Sequence, residues 1–257
     1  MKLRVIFLFI IALNLVFCIS AQKRIEMERE KDPHYQYNLG LYYLDNGNPD
    51  EAIKFLHKSL SLNPRNHLAF NALGFAHSMK GNLRQSLQNF QKCLQINPNF
   101  TEAHNNLGMI YQEMGFIDKA EEEFQKVLAD EKYPSKENAH YNLANLYYIQ
   151  GKNEKALDHI QKAVQENIRF AMAYNLKGRI LEKQNKLPEA ILSYEKALQI
   201  IPEEIHFNFD LAVALFKNKK YDPAKQIFEK ILPRVTDPET KENINQYLRI
   251  IQEQKKN

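Results

Sequence analysis

The histidines and glycines are the residues whose types could support metal or phosphate chemistry in this chain. The eight histidines lie at His34, His57, His67, His77, His104, His140, His159 and His206. None of them forms an HExxH motif, the spacing that puts two zinc ligands on one helical face. A phosphate-binding loop needs clustered glycines before a helix, whereas the eight glycines here recur at regular intervals. We therefore predict a protein that is not an enzyme, with no catalytic residues, no metal and no cofactor.

The two cysteines, Cys18 and Cys93, limit the thiol chemistry. Cys18 lies in the apolar N-terminal segment, so only Cys93 is expected in a mature chain. A single thiol forms no intrachain disulfide, and the fold must be stable without one. Cys18 has an alternative interpretation, lipidation after signal cleavage as in bacterial lipoproteins. Phe17 departs from the small residue that usually precedes such a cysteine.

The first twenty-one residues have the composition of a secretory signal. Met1 to Arg4 is basic, residues 5–19 are apolar except for Asn14, and the small residues Ser20 and Ala21 follow. This segment of fifteen residues is shorter than the roughly 20 that span a bilayer. We predict a cleaved signal peptide at 1–21, with an uncleaved membrane anchor as the alternative. The expected location is the periplasm or the outer membrane.

The composition favours a folded protein that does not bind nucleic acid. Hydrophobic residues make up 44% of the chain and charged residues 26%, enough for a buried core. The net charge is +4, and Lys2 and Arg4 of the predicted signal contribute two of those charges. The mature chain would then carry about +2, too little for phosphate-backbone binding to be expected.

A 34-residue repeat organises the rest of the chain. The segments "QYNLGLYYLDNG", "FNALGFAHSMKG" and "HNNLGMIYQEMG" follow one another at that interval. The repeated units are 33–66, 67–100, 101–134, 137–170, 171–204 and 205–238. Only Ser135 and Lys136 fall outside this frame. Every glycine lies at position 8 or position 15 of a unit. This pattern predicts two positions in each unit at which a larger side chain would be unfavourable.

The physical roles of those positions predict two helices in each unit. Position 8 is glycine or alanine and position 24 is bulky, the pattern of two closely packed helices. Position 15 is glycine in units one to four and Asn185 in unit five, residues that tolerate a left-handed backbone, as at the end of a helix. Pro64, Pro98 and Pro202 at position 32 end the second helix. Each unit therefore reads as helix, tight turn, helix and short link.

The pattern resembles the tetratricopeptide repeat, with a small residue at 8, alanine at 20, an aromatic residue at 24 and proline at 32. The resemblance implies an all-α fold, a right-handed superhelical solenoid of six such repeats over 33–238. Residues 22–32 would be a linker, and 239–257 a capping helix and tail. Tryptophan is absent, and position 4 carries polar or aromatic residues.

The resemblance also implies that the first helix of each repeat lines a concave groove that binds a protein segment. The candidate groove residues are Tyr37, Asn71, Phe75, Asn105, Met109, Tyr141, Asn145, Tyr148, Asn175, Arg179, Phe209 and Phe216. Asparagine amides can bond a peptide backbone, and aromatic rings offer contact area at low entropic cost. The basic clamp with which some of these domains hold a carboxylate is missing, because Glu102 stands at one of its positions.

A second resemblance rests on the irregularity between the third and fourth units. The segment "DEKYPSKENAHYNLANLYY", with Tyr133 and Pro134 leading into an "NLA" helix, is similar to the pilotins. These are type IV pilus biogenesis lipoproteins, exported six-repeat proteins that assist outer-membrane secretin assembly.

Three functional hypotheses follow. The first is a protein–protein interaction scaffold of the bacterial cell envelope, the second a pilotin-like assembly factor for type IV pili or a secretin, and the third an accessory subunit of an enzyme system. The expected partner is a protein or peptide, with no nucleic acid and no small-molecule substrate. Contact with a membrane would occur only through the signal or a lipid on Cys18.

Overall fold

The computed structural model describes residues 26–254, and all regular structure within that range is helical. The predicted signal peptide and its cleavage site, Cys18 and residues 255–257 lie outside the described residues. From Pro33 the helices are α1 (Pro33–Asp45), α2 (Pro49–Leu62), α3 (His67–Met79), α4 (Leu83–Ile96), α5 (Thr101–Glu113), α6 (Ile117–Ala129), α7 (Lys136–Ile149), α8 (Asn153–Glu166), α9 (Ala171–Lys183), α10 (Leu187–Ile200), α11 (Ile205–Lys217), α12 (Tyr221–Ile231) and α13 (Pro238–Gln254). The predicted all-α fold of paired helices is confirmed.

The chain divides after Glu123 into two compact units. The first unit contains α1 to α5 and the start of α6, and the second contains the remainder. Within each unit, helices adjacent in sequence pack against each other as hairpins, and each hairpin contacts the next. This arrangement places α1, α3 and α5 side by side in the first unit, and α7, α9 and α11 in the second. These six first helices carry all the candidate groove residues.

Glycine at position 8 permits the close approach of the two helices of a hairpin. A Cβ added to Gly74 would lie 2.6 Å from the ring of Phe90, and one added to Gly178 would lie 2.5 Å from the ring of Tyr194. Both rings are almost fully buried. The predicted pairing of a small residue with a large one therefore fixes how closely the helices approach each other.

The turn between the two helices of a hairpin uses a left-handed residue at position 15. Gly81 has φ 71° and Asn185 has φ 61°, as the glycine pattern predicts. Lys219 also has a positive φ, 58°, although lysine rarely adopts this conformation. The geometry of the turn therefore overrides the local preference of the residue.

In the third and sixth repeats, the polar residue at position 4 contacts a backbone carbonyl of the link that precedes its helix pair. Asn208 Nδ2 donates to the carbonyl oxygen of Pro202 at 3.0 Å, and His104 Nε2 lies 2.9 Å from the carbonyl oxygen of Pro98. These carbonyls lie beyond the end of a helix and lack intrahelical partners. In these two repeats, the polar side chain at position 4 therefore gives a hydrogen-bond partner to a carbonyl group of the link between repeats.

Within the predicted linker at 22–32, residues 26–30 are helical. Its Glu-Met-Glu-Arg-Glu composition consists of strong helix formers. Gln36, which is 1% exposed, donates from Nε2 to the carbonyl oxygen of Glu30 at 3.1 Å. This contact ties the short helical segment to α1.

The C-terminal helix α13 packs against the last hairpin. The ring of Tyr247 stacks on Phe228 with centroids 5.2 Å apart and an interplanar angle of 7°. Ile244 and Ile251 of the same helix are fully buried. The capping role predicted for this segment is confirmed. No helix within residues 26–254 has the length and apolarity to cross a bilayer.

Candidate partner-binding site

The first helices of unit one form a cleft of about 360 Å³. Three of the predicted groove residues, Tyr37, Asn71 and Phe75, line it. The other lining residues are Leu41, Leu44, Asp45, Leu68, Ala72, Phe100, Glu102 and Asn106. Phe75 is 48% exposed, so about half of its side chain faces solvent at this cleft.

A chain of hydrogen bonds crosses the floor of the unit-one cleft. Asn71 Nδ2 donates to Glu102 Oε1 at 3.1 Å, and Asn106 Nδ2 donates to Asn71 Oδ1 at 3.2 Å. Asn71 is 8% exposed. Its amide therefore positions Glu102 and offers little surface of its own to a partner. Burial, followed by the charge of Glu102, raises the pKa of Tyr37.

Asn105 and Met109 lie on α5 outside the lining of that cleft. Met109 is 50% exposed, and Asn105 Nδ2 lies 3.9 Å from its sulfur. Both side chains remain on the surface of the first helices, and Met109 extends the exposed apolar area begun by Phe75.

The first helices of unit two form a second cleft of about 270 Å³. Tyr148, Arg179 and Phe209, all predicted groove residues, line it. Sequence reasoning missed Glu182, Lys183, Tyr194, Asp210, Val213 and Lys217. Helical spacing from Arg179 could have identified Glu182 and Lys183, which lie three and four residues further along α9.

Cations gather over the ring of Tyr148 in the unit-two cleft. The Arg179 Cζ lies 5.5 Å and the Lys183 Nζ lies 4.9 Å from the ring centroid. This is the geometry of a cation–π contact. In residues 26–254, neither cation makes a hydrogen bond or an ion pair. Both are therefore available to an acceptor on a partner.

Two carboxylates of the unit-two cleft are already engaged within the fold. Glu182 accepts from Lys217 Nζ at 2.6 Å and from the Tyr194 hydroxyl at 2.9 Å. The Glu182 partnership raises the pKa of Lys217, and burial raises the pKa of Tyr194. Asp210 accepts from Asn175 Nδ2 at 2.9 Å, and burial raises its pKa.

Three other predicted groove residues of unit two are buried or partly buried and pack within the fold. Asn175 is 9% exposed, and its side-chain amide donates a hydrogen bond to Asp210. The ring of Phe216 packs edge-on against Tyr247 of α13, with centroids 5.0 Å apart, so its surface is largely used by the cap. Tyr141 packs against Phe170 with centroids 5.4 Å apart, and burial raises its pKa.

Asn145 differs from the other candidate asparagines. It lies half-buried on α7, between Tyr141 and Tyr148 on the same helical face. Within the described part of the chain its side-chain amide makes no hydrogen bond. It therefore presents a donor and an acceptor to whatever covers this face.

Three histidines make side-chain contacts within their hairpins. His104 Nδ1 contacts Glu123 Oε2, and His140 Nδ1 lies 3.1 Å from His159 Nδ1. Burial, His159 and Lys162 lower the pKa of His140 to about 4. Residues 26–254 contain no group of three histidine, cysteine or acidic side chains placed to hold a metal ion.

The remaining thiol lies in the core of unit one. Cys93 is fully buried, and burial raises its pKa to about 12. The thiolate is the reactive form of cysteine, so this residue packs and does not act as a nucleophile.

Family models of helical repeats match three parts of the chain. A tetratricopeptide repeat model matches residues 35–66, and a TPR repeat model matches residues 79–115. The model of the tetratricopeptide repeat protein 21 C-terminal ARM domain matches residues 125–246. No curated protein sequence matches the chain.

Solved structures resemble the chain over most of its length. The structure of pilF from Pseudomonas aeruginosa has a TM-score of 0.72 at 18% identity and covers 85% of this chain and 98% of that chain. PilW, described as a widely conserved type IV pilus biogenesis factor, has a TM-score of 0.76 at 17% identity and covers 82% and 97%. A chain of the APC/C hetero-tetramer Cut9–Hcn1 has a TM-score of 0.74 at 17% identity and covers 86% and 43%. At these identities the likeness shows a shared fold.

Proposed function

We propose that this chain, in which tetratricopeptide-repeat models match residues 35–66 and 79–115, is a non-catalytic interaction scaffold that binds a protein or peptide segment on the first helices of its repeats. Tetratricopeptide-repeat proteins are protein-interaction scaffolds, and stacked repeats offer long surfaces for this purpose. The proposal is supported most directly by Asn145, a half-buried amide without a hydrogen bond in the described chain, set between two tyrosines.

The surroundings of Asn145 suit a bound peptide backbone. Tyr141 and Tyr148 flank it at helical spacing, and their rings supply contact area that loses little entropy on binding. Arg179 and Lys183 bring further donors to the same face. An extended segment could place a carbonyl and an amide against Asn145 and its side chains against the aromatic rings.

We further propose that the protein is exported and works in the bacterial cell envelope. The basic and apolar N-terminus of the sequence supports export. A pilotin-like role in assembling type IV pili or a secretin is the narrower alternative. Tyr133 and Pro134 of the sequence support it, together with the fold shared with pilF and PilW.

Replacement of Asn145 tests the proposed binding face. A partner captured from envelope extracts is purified, and its affinity for the wild type and for Asn145→Ala is measured by calorimetry. We expect affinity to fall by about 1–3 kcal/mol, because a polar group of the partner loses its hydrogen bond on burial. The melting temperature should stay within about a degree, since the amide makes no bond within the described fold.

Asn243→Ala on α13 is the matched control, because Asn243 is exposed and lines neither of the two clefts. It should leave both affinity and stability unchanged. If Asn145→Ala lowers the melting temperature and leaves affinity constant, the residue is structural and the binding face proposed here is wrong.

A further inference from the structure

The first helices of unit one carry carboxylates but no lysine or arginine. Helices α1, α3 and α5 contain Asp45, Glu102 and Glu113 but no lysine or arginine. The nearby lysines pair elsewhere: Lys80, which directly follows α3, pairs with Asp50, and Lys58 of α2 pairs with Glu30. In the described chain, Asp45 and Glu102 have no ion-pair partner. The cleft between these helices is therefore an uncompensated acidic site.

Glu102 is held in a fixed position at the wall of this cleft. Its Oε1 accepts from Asn71, which in turn accepts from Asn106. Asn71 is buried, so the chain of amides anchors the carboxylate to the packed part of α3. The other carboxylate oxygen, Oε2, makes no hydrogen bond in the described residues. A charged acceptor that is already positioned loses little entropy when a donor arrives.

The rest of the cleft is apolar and aromatic. Tyr37, Leu41, Leu68, Phe75 and Phe100 supply most of its walls. Such walls suit the methylene stem of a long basic side chain, and an aromatic ring also attracts its cationic end. The volume of about 360 Å³ is at the small end of the range for binding clefts, which suits side chains of one segment.

We propose that the unit-one cleft takes a lysine or arginine side chain of the bound segment, flanked by apolar residues. The cationic end would pair with Glu102 and lie in the field of Asp45, and the apolar neighbours would cover Phe75 and Leu41. This inference rests on the proposed scaffold function and adds the chemistry that the unit-one cleft selects.

The test uses three capped peptides, Gly-Leu-X-Leu-Gly, in which X is lysine, glutamine or glutamate. Each is titrated into the 15N-labelled protein, and the side-chain amide signals of Asn71 and Asn106 report on the cleft. We expect the lysine peptide to bind about three- to fivefold more tightly than the glutamine peptide, the range of a partly exposed ion pair. The glutamate peptide should bind most weakly. The lysine preference should decrease with added salt.

Glu102→Gln removes the negative charge of the side chain but keeps its size, and glutamine can still accept the hydrogen bond from Asn71. It should abolish the preference for lysine and leave the affinity of the glutamine peptide unchanged. Glu113→Gln is the control, since Glu113 lies at the far end of α5 outside the cleft and should have no effect.

Equal affinities for the lysine and glutamine peptides would overturn the charge selectivity and leave the scaffold function intact. Stronger binding of the glutamate peptide would overturn it in favour of an acidic partner. If no peptide moves the Asn71 or Asn106 signals, the cleft is not a binding site. The scaffold proposal is then judged separately, by the Asn145 variant and its purified partner.

Discussion

Gly178→Ala tests how tightly the hairpin of α9 and α10 is packed. The added Cβ would lie 2.5–2.8 Å from three ring atoms of Tyr194, which is fully buried. The ring has little freedom to move, because its hydroxyl donates to Glu182, which also binds Lys217. Overpacking of this kind costs about 1–3 kcal/mol, and replacing a helical glycine by alanine gains about 1 kcal/mol. The net expectation is a loss of about 0–2 kcal/mol in the free energy of unfolding.

The same substitution should change sign when Tyr194 is replaced by isoleucine. The chain already contains such a pair at the matching positions, Ala144 with Ile160, and both are buried. In the Tyr194→Ile background, Gly178→Ala should stabilise by up to about 1 kcal/mol, because the helix gain remains and the ring is gone. Urea titrations followed by circular dichroism of the four proteins measure this coupling.

Gly151→Ala serves as the control for backbone effects. Gly151 has φ 74° and nothing within 4 Å of an added Cβ, so its replacement acts through the left-handed backbone alone. It should destabilise by the same amount in both Tyr194 backgrounds. If Gly178→Ala also has one effect in both backgrounds, the glycine does not determine the approach of the two helices and the packing argument fails.

Two further predictions concern pH and processing. The fold lowers the pKa of His140 from an ordinary 6.5 to about 4. Between these two pH values the unfolded chain therefore binds more protons than the folded chain. Stability should therefore be complete above about pH 6.5 and decrease as the pH falls toward 4. In urea titrations, His140→Phe should remove about 1 kcal/mol of that decrease in stability. The effect is small because the ring is half exposed and its charge is screened by solvent. An unchanged dependence of stability on pH in this variant would contradict the prediction. Mass spectrometry of the native protein should show a chain that begins near Gln22; an acylated Cys18 would favour the lipoprotein alternative, and an intact Met1 would refute cleavage.

The repeat frame of the fold could be read from the sequence because its signals are local and occur six times. Gly74 and Gly178 mark close helix contacts, and Asn185 marks a left-handed turn, each for a steric reason that one residue reveals. Lys219 escaped notice because lysine has no preference for that conformation. It occupies position 15 of the sixth unit, so the repeat frame, and not the residue type, was the signal that could have identified it.

The candidate site could be predicted only in part. The spacing of Tyr141, Asn145 and Tyr148 placed them on one face of a helix, as the structure has them. The hydrogen bond from Asn71 to Glu102 joins residues on different repeats, and the sequence gives no sign that one amide serves the other helix. Local periodicity shows which face a side chain occupies, whereas its partners depend on the packing of neighbouring helices.

The stacking of α13 on the last hairpin has a consequence for self-association. The end of a helical stack is an open apolar surface that fits the beginning of another, so uncapped arrays can join end to end into filaments. Here Tyr247 covers Phe228, and Ile244 and Ile251 fill the space beside it. A second copy would have to displace these buried groups before it could dock. The cap therefore blocks polymerisation through this end.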